Sequence, residues 1–217
     1  MLGHPNLPPQ LPIYDISVPI HPRMPLYPGS PPVSYKQVES IQAGAHANVF
    51  QICMGTHTGT HIDAPFHVNS AGRKLGDADL QTLVGPCQVV ELDVGEAITA
   101  EDLRVVHWHH AERLLLKTRN SNLWDGVFHS DFAYLAEDAA RLVASHDNVK
   151  LVGIDYLSID SAESENLEVH HILLDKGIYV LEGLNLYGIS PGQYELIFLP
   201  LSLETGDGAP GRAVLRG

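Results

Sequence analysis

The stretch Met54-Gly-Thr-His57-Thr-Gly-Thr-His61-Ile-Asp63-Ala-Pro-Phe-His67 holds three histidines and one aspartate between positions 57 and 67. Imidazole nitrogen and carboxylate oxygen are the ligands that zinc, and less selectively manganese or iron, takes from proteins. No other part of the sequence concentrates so much metal-binding chemistry. The stretch is therefore a candidate metal site, and the chain on either side is expected to support it.

The glycines, the proline and the β-branched threonines of this stretch favour extended chain and turns over a helix. His57, Gly59, His61, Asp63 and His67 share one parity, so an extended strand would direct them to one side. Four residues of a strand span about 13 Å, which is too far for two side chains to share an ion. The chain must therefore bend, and Gly59 is the expected hinge. The alternative is an ordinary loop with four polar residues.

The composition bounds the class of protein. With 217 residues and no linker-like stretch, the sequence predicts one domain over residues 12–217, after an irregular, proline-rich arm at residues 1–11. A formal charge of −13 opposes association with nucleic acid or an anionic membrane surface. Without a membrane-length apolar run or a signal segment, we expect a cytoplasmic protein. A bridge between its two cysteines, Cys53 and Cys87, stays open.

Strands outnumber helices in the pattern of apolar residues. Strands are predicted at residues 12–20, 33–41, 47–54, 87–94, 113–118, 149–155, 178–186 and 194–201. A capping box at Thr99–Asp102, an apolar stripe from Leu135 to Val143, and residues 166–176 before Gly177 predict three helices. The tail at 207–212 is predicted to be turn-rich. These elements indicate a mixed α/β domain, without fixing the strand order.

Glu182 is a carboxylate inside an apolar strand. Such a group costs several kcal/mol when it is buried without a partner, so a metal ion or a hydrogen-bonding partner is expected. His170, on the preceding predicted helix, is a plausible companion.

Several other polar residues have two interpretations. Tyr27, in a proline-rich loop, either contacts substrate or fills space, and packing is favoured. Asp155 and Asp160 either support metal ligands or form turns, and turns are favoured. The histidines between positions 107 and 110 flank Trp108 without a nearby carboxylate, so a solvated or packed turn is favoured.

The pattern His-x-Gly-Thr-His-x-Asp-x-Pro-x-His, complete from His57 to His67, resembles the hallmark of the cyclase superfamily, which includes bacterial kynurenine formamidases. The resemblance extends over nearly the whole chain beyond the arm. It also includes Tyr14-Asp-Ile-Ser, Pro25-Leu-Tyr-Pro-Gly, Val152-Gly-Ile-Asp155, His170 with Leu181-Glu182-Gly-Leu, and Pro210 to Arg216.

This resemblance implies a swivelling β/β/α fold, a homodimer or higher homo-oligomer, and one or two zinc ions per chain, with manganese possible. Residue by residue, it implies metal ligands at His57, His61, Asp63, His170 and Glu182, with Asp63 bridging two ions. His67 would then donate and accept protons. Tyr27 would occupy the place of an aromatic residue that touches the substrate, which raises its functional weight.

The leading hypothesis is a metal-dependent hydrolase that converts N-formyl-L-kynurenine to L-kynurenine and formate in tryptophan degradation. An alternative is hydrolysis of a cyclic amide such as isatin, or another cyclase-type reaction, on the same scaffold. A further alternative is a metal-binding domain without turnover, because a fold does not guarantee a chemistry.

Overall fold

The computed structural model describes residues 11–217, so the predicted arm lies, except for Leu11, outside the described residues. The described chain forms twelve strands and four α-helices. The strands are β1 (Ile13–Asp15), β2 (Ser34–Glu39), β3 (Val49–Cys53), β4 (His61–Asp63), β5 (Val84–Glu91), β6 (Ala97–Ile98), β7 (Arg113–Lys117), β8 (Tyr134–Leu135), β9 (Leu151–Ile154), β10 (Tyr179–Glu182), β11 (Gly192–Pro200) and β12 (Gly208–Arg216). The α-helices are α1 (Leu80–Leu83), α2 (Ala100–Arg104), α3 (Glu137–Ala144) and α4 (Glu168–Asp175).

Eight strands form one mixed sheet in the order β1-β12-β11-β5-β7-β9-β10-β4. Strand β12 also pairs with β4, so the sheet closes on itself as a barrel, with β1 attached at the side. Strands β5, β7, β9 and β10 run parallel, whereas β4, β11 and β12 pair antiparallel with their neighbours. The mixed α/β class predicted from the sequence is confirmed.

Alternation along the strands divides the apolar residues between two cores. In β7, Leu115 points into the barrel, where it meets residues such as Phe198 and Leu215. Its neighbours Leu114 and Leu116 face outwards and pack against helices α2, α3 and α4. Because both faces are covered, β7 is a continuous apolar run, as expected of a parallel strand.

Most predicted elements are confirmed with shifted ends. The capping box is present, with Thr99 and Asp102 bonded to each other's backbone at the start of α2. Leu135 belongs to β8, so α3 begins only at Glu137. Gly177 follows α4 with a φ of +84°, as expected of a residue that ends a helix.

The prediction of a turn-rich tail at residues 207–212 is wrong. Residues Gly208–Arg216 form β12, a nine-residue strand that pairs with β1, β4 and β11. Its glycines and proline suggested turns, but they sit where neighbouring backbone comes close. A Cβ at Gly211, for example, would lie 2.7 Å from the carbonyl oxygen of Leu199.

Strands β2 and β3 form a separate two-stranded hairpin that leads directly into the histidine-rich stretch. Cys53, at its end, is exposed, and Cys87 is buried; both are free thiols, so the bridge left open by the sequence is absent from the described chain. None of the helices within residues 11–217 is long and apolar enough to cross a membrane.

Candidate metal centre

The predicted ligands come from three parts of the chain and meet at one place. His61 and Asp63 lie on β4, which pairs antiparallel with β10 so that His61 stands opposite Glu182. His170 lies in the first turn of α4. His57, in the turn before β4, folds back so that its Nδ1 atom is 2.6 Å from Oδ1 of Asp63. The structure therefore brings all five predicted ligands together.

The bend predicted at Gly59 is confirmed, because this residue has a φ of +66°. The turn packs directly on the chain that follows β10. A Cβ at Gly183 would lie 1.9 Å from the carbonyl oxygen of Gly59, so a larger residue cannot fit there. The hydroxyl of Thr60 donates to the Gly183 carbonyl at 2.6 Å and accepts from the Val18 amide at 2.9 Å. These contacts fix the positions of β4 and β10 relative to each other.

The donor atoms form two sets that share Asp63. His57, His61 and Asp63 make one set, and Asp63, His170 and Glu182 make the other. In the second set, Nε2 of His170 lies 3.2 Å from Asp63 Oδ2 and 3.2 Å from Glu182 Oε1. In the first, Nε2 of His61 lies 3.5 Å from Asp63 Oδ1.

These residues fit divalent metal ions. Tetrahedral zinc with ligand bonds of about 2.1 Å places its donor atoms roughly 3.4 Å apart, close to most of the separations observed here. Nε2 of His61 and Oδ2 of Asp63 are buried, and the contacts of 3.2 to 3.5 Å that they make within the cluster lack hydrogen-bond geometry, so neither atom has a hydrogen-bond partner among residues 11–217. Buried polar atoms are rarely left without a partner, so the donor set is built for a ligand that these atoms share.

Comparison with known proteins places this chain in a family. Residues 14–161 match the model of the Cyclase family, described as "Putative cyclase". This chain belongs to the cyclase family.

Two relatives in the cyclase family align with this chain over nearly the whole length of both proteins. A protein named kynurenine formamidase from Bacillus thuringiensis is 39% identical over 202 residues, covering 93% of this chain and 96% of its own. Another of the same name from Geobacillus thermodenitrificans is 40% identical over 207 residues, covering 94% and 97%.

Solved structures agree with this membership. A predicted metal-dependent hydrolase from Bacillus stearothermophilus has a TM-score of 0.82 at 34% identity, covering 94% of this chain and 98% of that one. Isatin hydrolase A from Ralstonia solanacearum has a TM-score of 0.81, covering 94% and 91%. At 20% identity, the second likeness shows the fold alone.

In the candidate centre, each imidazole of the two donor sets also contacts an oxygen through its other ring nitrogen. Nδ1 of His61 is 2.8 Å from the Gly59 carbonyl, and Nδ1 of His170 is 2.5 Å from Oδ2 of Asp160. Nε2 of His57 is 3.0 Å from Oδ2 of Asp207. Such outer acceptors fix the tautomer and orientation of metal-binding histidines.

Asp160 and Asp207 therefore both support the cluster, a role that the sequence left as the less favoured interpretation of Asp160 and did not predict for Asp207. The interpretation of Asp160 as a turn former is wrong, since its carboxylate accepts the Val169 and His170 amides at the start of α4, both at 3.0 Å, besides contacting the His170 ring. Asp207 stood in a tail that was taken for turns. Asp155 does not form a local turn either: its carboxylate accepts hydrogen bonds from Thr118 and Ser121, 34 to 37 positions earlier in the chain, and so holds the turn over residues 119–122.

In the metal-free cluster, neighbouring groups of opposite charge shift each other's pKa values. Burial by itself would lower the pKa of His57, but the carboxylates of Asp63 and Asp207 raise that pKa to about 9. Burial would likewise lower the pKa of His170. The carboxylates of Glu182, Asp160 and Asp63 instead hold that pKa well above its ordinary value. Burial would raise the pKa of Asp63, but the histidines around it hold that pKa well below its usual range. Protons on imidazoles thus balance the buried carboxylates.

Metal binding must displace these protons, which gives a prediction about pH. Since the pKa of His57 is about 9, its ring carries a proton at pH 7, and the apparent metal affinity should rise as the pH increases towards 9. Isothermal titration calorimetry of zinc binding at pH 7, in two buffers with different ionisation enthalpies, should show net proton release. Equal apparent enthalpies in the two buffers would contradict the protonated state.

The raised pKa of His57 also predicts that the metal-free fold loses stability as the pH rises from about 6.5 through 9.

His67 lies beside the donor sets, in the short 3-10 turn Pro65–His67. Its ring centroid is 4.0 Å from that of His57 and 5.7 Å from that of His170. Burial lowers its pKa, and the positive charges of His57 and His170 lower it further, although Asp63 and Glu182 oppose them. His67 is thus neutral at pH 7 and able to accept a proton.

Tyr27 is half-buried against an aromatic wall. Its ring meets Phe128 edge-on with centroids 5.6 Å apart, and Phe132 and Tyr156 continue the wall. Burial raises the pKa of the Tyr27 phenol, and the charges of Asp160 and Glu182 add to the rise. Tyr27 therefore packs, as expected from the sequence, and also lies near the metal cluster.

The remaining histidine cluster lies elsewhere. Trp108 is buried, whereas His107, His109 and His110 are exposed, which confirms the predicted solvated turn. This turn precedes the amino end of β7, whereas Glu182 ends the parallel strand β10, so the two sites lie at opposite edges of the sheet. The 760 Å³ cavity lined by the turn is therefore separate from the metal cluster.

Proposed function

We propose that this protein is a metal-dependent hydrolase that cleaves N-formyl-L-kynurenine to L-kynurenine and formate in tryptophan degradation. The observation that carries the proposal is the pair of donor sets sharing Asp63, with the neutral imidazole of His67 beside them. The relatives named kynurenine formamidase, at 39 and 40% identity over nearly the whole chain, support the choice of substrate.

The side chains have separate tasks in this reaction. His57, His61, Asp63, His170 and Glu182 would hold one or two divalent ions. When bound, such an ion supplies Lewis acidity that polarises a carbonyl and lowers the pKa of water towards neutrality.

His67 moves the proton. An amide nitrogen leaves poorly as an anion, so it must be protonated while its bond to the formyl carbon breaks. Water adds its oxygen to the formyl carbon and gives a proton to His67, which passes that proton to the departing aryl amine. The lowered pKa of His67 keeps the ring unprotonated at pH 7, in the state that the first of these transfers needs.

Tyr27 and Phe128, the partly exposed rings of the aromatic wall, would receive the aryl ring of the substrate, while the buried Phe132 and Tyr156 support them from behind. Flat aromatic faces and edges pack favourably on another ring. Tyr27 meets Phe128 on one side, and the charges of Asp160 and Glu182 raise the pKa of its phenol, which supports a position for the aryl ring on the side of the donor sets.

Zinc is the proposed ion, with manganese as the alternative, because imidazole and carboxylate ligands suit both. Elemental analysis of the purified protein identifies the ion, and a predominance of iron would overturn this choice. The free thiols of Cys53 and Cys87 fit a reducing compartment, and we propose the cytoplasm. Recovery of the protein in another cell fraction would contradict that location.

We also propose a homodimer or higher homo-oligomer, supported by the β2–β3 hairpin. On one face Tyr35 stacks on Phe50 with centroids 4.7 Å apart, beside Ile52. The three side chains are 56, 47 and 49% exposed. A two-stranded hairpin is marginally stable alone in water, and an exposed apolar patch of this kind is typical of an interface. A second copy supplies a matching face, as two-fold symmetry requires.

The hairpin gives a prediction about mass. Light scattering after size exclusion should give at least twice the 23.7 kDa of one chain. Replacing both Tyr35 and Phe50 by serine should shift the protein towards a monomer, because the shared apolar face is removed. Lys36→Ser, on the opposite face of the hairpin, is the matched control and should leave the mass unchanged. A wild-type protein of 23.7 kDa would contradict the proposal.

Parallel assays separate the candidate functions. Zinc-loaded protein is supplied with N-formyl-L-kynurenine and with isatin, and formate release and ring opening are followed. Formate release supports the proposed function; ring opening alone selects a cyclic-amide hydrolase, and no turnover of either despite bound metal favours a binding domain.

In the same assay, Tyr27→Ala should raise KM more than Tyr27→Phe, and equal KM values for both variants and the wild type would remove Tyr27 from substrate binding.

A further inference from the structure

We propose that Asp207 is a positioning residue that holds two imidazoles with one carboxylate: His57, in the first donor set, and His67, the proton carrier. The part of this inference that concerns His67 rests on the proposed function. The part that concerns His57 rests on the geometry of the donor set.

The backbone fixes Asp207 at the cluster. It immediately precedes β12, whose first residue, Gly208, is paired with Asp63. The Asp207 carbonyl accepts the Ala64 amide at 2.9 Å. A Cβ at Gly208 would lie 2.8 Å from Cε1 of His57, so the backbone at this point touches the ring itself. The same pairing that closes the barrel therefore carries Asp207 to the histidines.

The two ring nitrogens of His57 face two different carboxylates. Its Nδ1 atom is 2.6 Å from Asp63 Oδ1, within the first donor set, and its Nε2 atom is 3.0 Å from Asp207 Oδ2. A neutral imidazole has a single lone pair, so a ring that binds metal through Nδ1 carries its proton on Nε2. That N–H then donates to Asp207, just as the outer nitrogens of His61 and His170 face their own acceptors.

His67 faces the same oxygen. Its Nδ1 atom is buried without a hydrogen-bond partner among residues 11–217, and it lies 3.7 Å from Asp207 Oδ2. This separation is longer than a hydrogen bond, but catalytic hydrogen bonds are often long without substrate and tighten when it binds. A carboxylate oxygen can accept two donors. With its proton on Nδ1, His67 presents the lone pair of Nε2 to the reaction.

The atoms of His57, His67 and Asp207 are also close enough to hold an ion between them. Such an ion would need the same ring of His57 that the first donor set uses. Because the neutral ring has one lone pair, the geometry favours Asp207 as an acceptor over Asp207 as a ligand. The two roles predict different metal stoichiometries.

The test compares Asp207→Ala, Asp207→Asn and the control Glu204→Ala in the full chain. Glu204 is an exposed carboxylate three positions earlier. Zinc affinity is measured by chelator competition, and the tautomer of His67 by nitrogen NMR of protein labelled at histidine. The kinetic constants kcat and KM are measured at saturating zinc.

Asp207→Ala should weaken zinc binding by about 10- to 100-fold, as loss of an outer partner does elsewhere. It should also lower kcat with little change in KM, and remove the preference of His67 for a proton on Nδ1. Asp207→Asn keeps an acceptor oxygen and should recover most of the affinity. Glu204→Ala should behave as the wild type.

Two results would overturn the proposal. One is an Asp207→Ala protein with unchanged zinc affinity and an unchanged His67 tautomer. The other is the loss of one whole ion per chain in both Asp207 variants, which would make Asp207 a ligand. If Asp207→Ala does not fold, nitrogen NMR of the wild type decides, because a His67 ring that carries its proton on Nε2 rather than on Nδ1 would overturn the proposal. A wild type that binds zinc but releases no formate would sink the formamidase assignment, while affinity and tautomer would still decide the role of Asp207.

Discussion

His67→Ala should lower kcat for N-formyl-L-kynurenine by about 10²- to 10⁴-fold, the range typical of a lost proton-transfer group. The bound metal should remain, because His67 lies outside the two donor sets that share Asp63. The loss should fall on kcat more than on KM, since proton transfer acts in the bond-breaking step. Steady-state kinetics combined with elemental analysis of the same protein measures both quantities.

The matched control for this variant is His171→Ala. His171 is an exposed histidine on α4, next to the buried His170. Its removal should leave kcat within about two-fold of the wild type, as surface changes usually do. Turnover by His67→Ala at the wild-type rate would remove His67 from the mechanism, whatever the metal content.

Asp63→Asn should cost the protein both donor sets, because Asp63 alone belongs to both. An amide oxygen carries no charge, and the variant leaves His57 and His170 without their shared counter-ion. We expect metal content to fall to near zero after dialysis and activity to fall by at least about 10³-fold. Glu182→Gln should instead strip or weaken one ion, since Glu182 belongs to one set.

Metal content, measured by elemental analysis against protein concentration, distinguishes these two variants. Asp175→Asn, an exposed carboxylate on α4, is the control and should bind metal as the wild type does. An Asp63→Asn protein that keeps the wild-type number of ions would show that Asp63 does not hold the site together. Unchanged metal content in Glu182→Gln would show that Glu182 is not a ligand.

The parts of this site that the sequence predicted are local or chemically conspicuous. His57, His61 and Asp63 lie within seven consecutive positions, and the need for a bend between them singled out Gly59. Glu182 stood out because a carboxylate in an apolar strand needs a partner. The structure supplies one: Nε2 of His170 lies 3.2 Å from its Oε1 atom.

The parts that the sequence did not predict depend on contacts between distant segments. Asp207 reaches His57 across 150 positions, because β12 pairs with β4, and no local pattern encodes that pairing. Leu167, at the N-cap position of α4, has no side chain that can cap the helix. Asp160, ten positions before His170, caps it instead. The glycines of β12 led to the wrong prediction of turns, because glycine is favoured both in turns and where two backbones pack closely.

The most direct test of the account is formate release from N-formyl-L-kynurenine by zinc-loaded protein beside the same protein stripped by a chelator. We expect release by the loaded protein, its loss on chelation, and its recovery when zinc is restored. Equal release with and without metal would contradict the role of the donor sets. Absence of release despite stoichiometric bound zinc would contradict the assignment of the substrate.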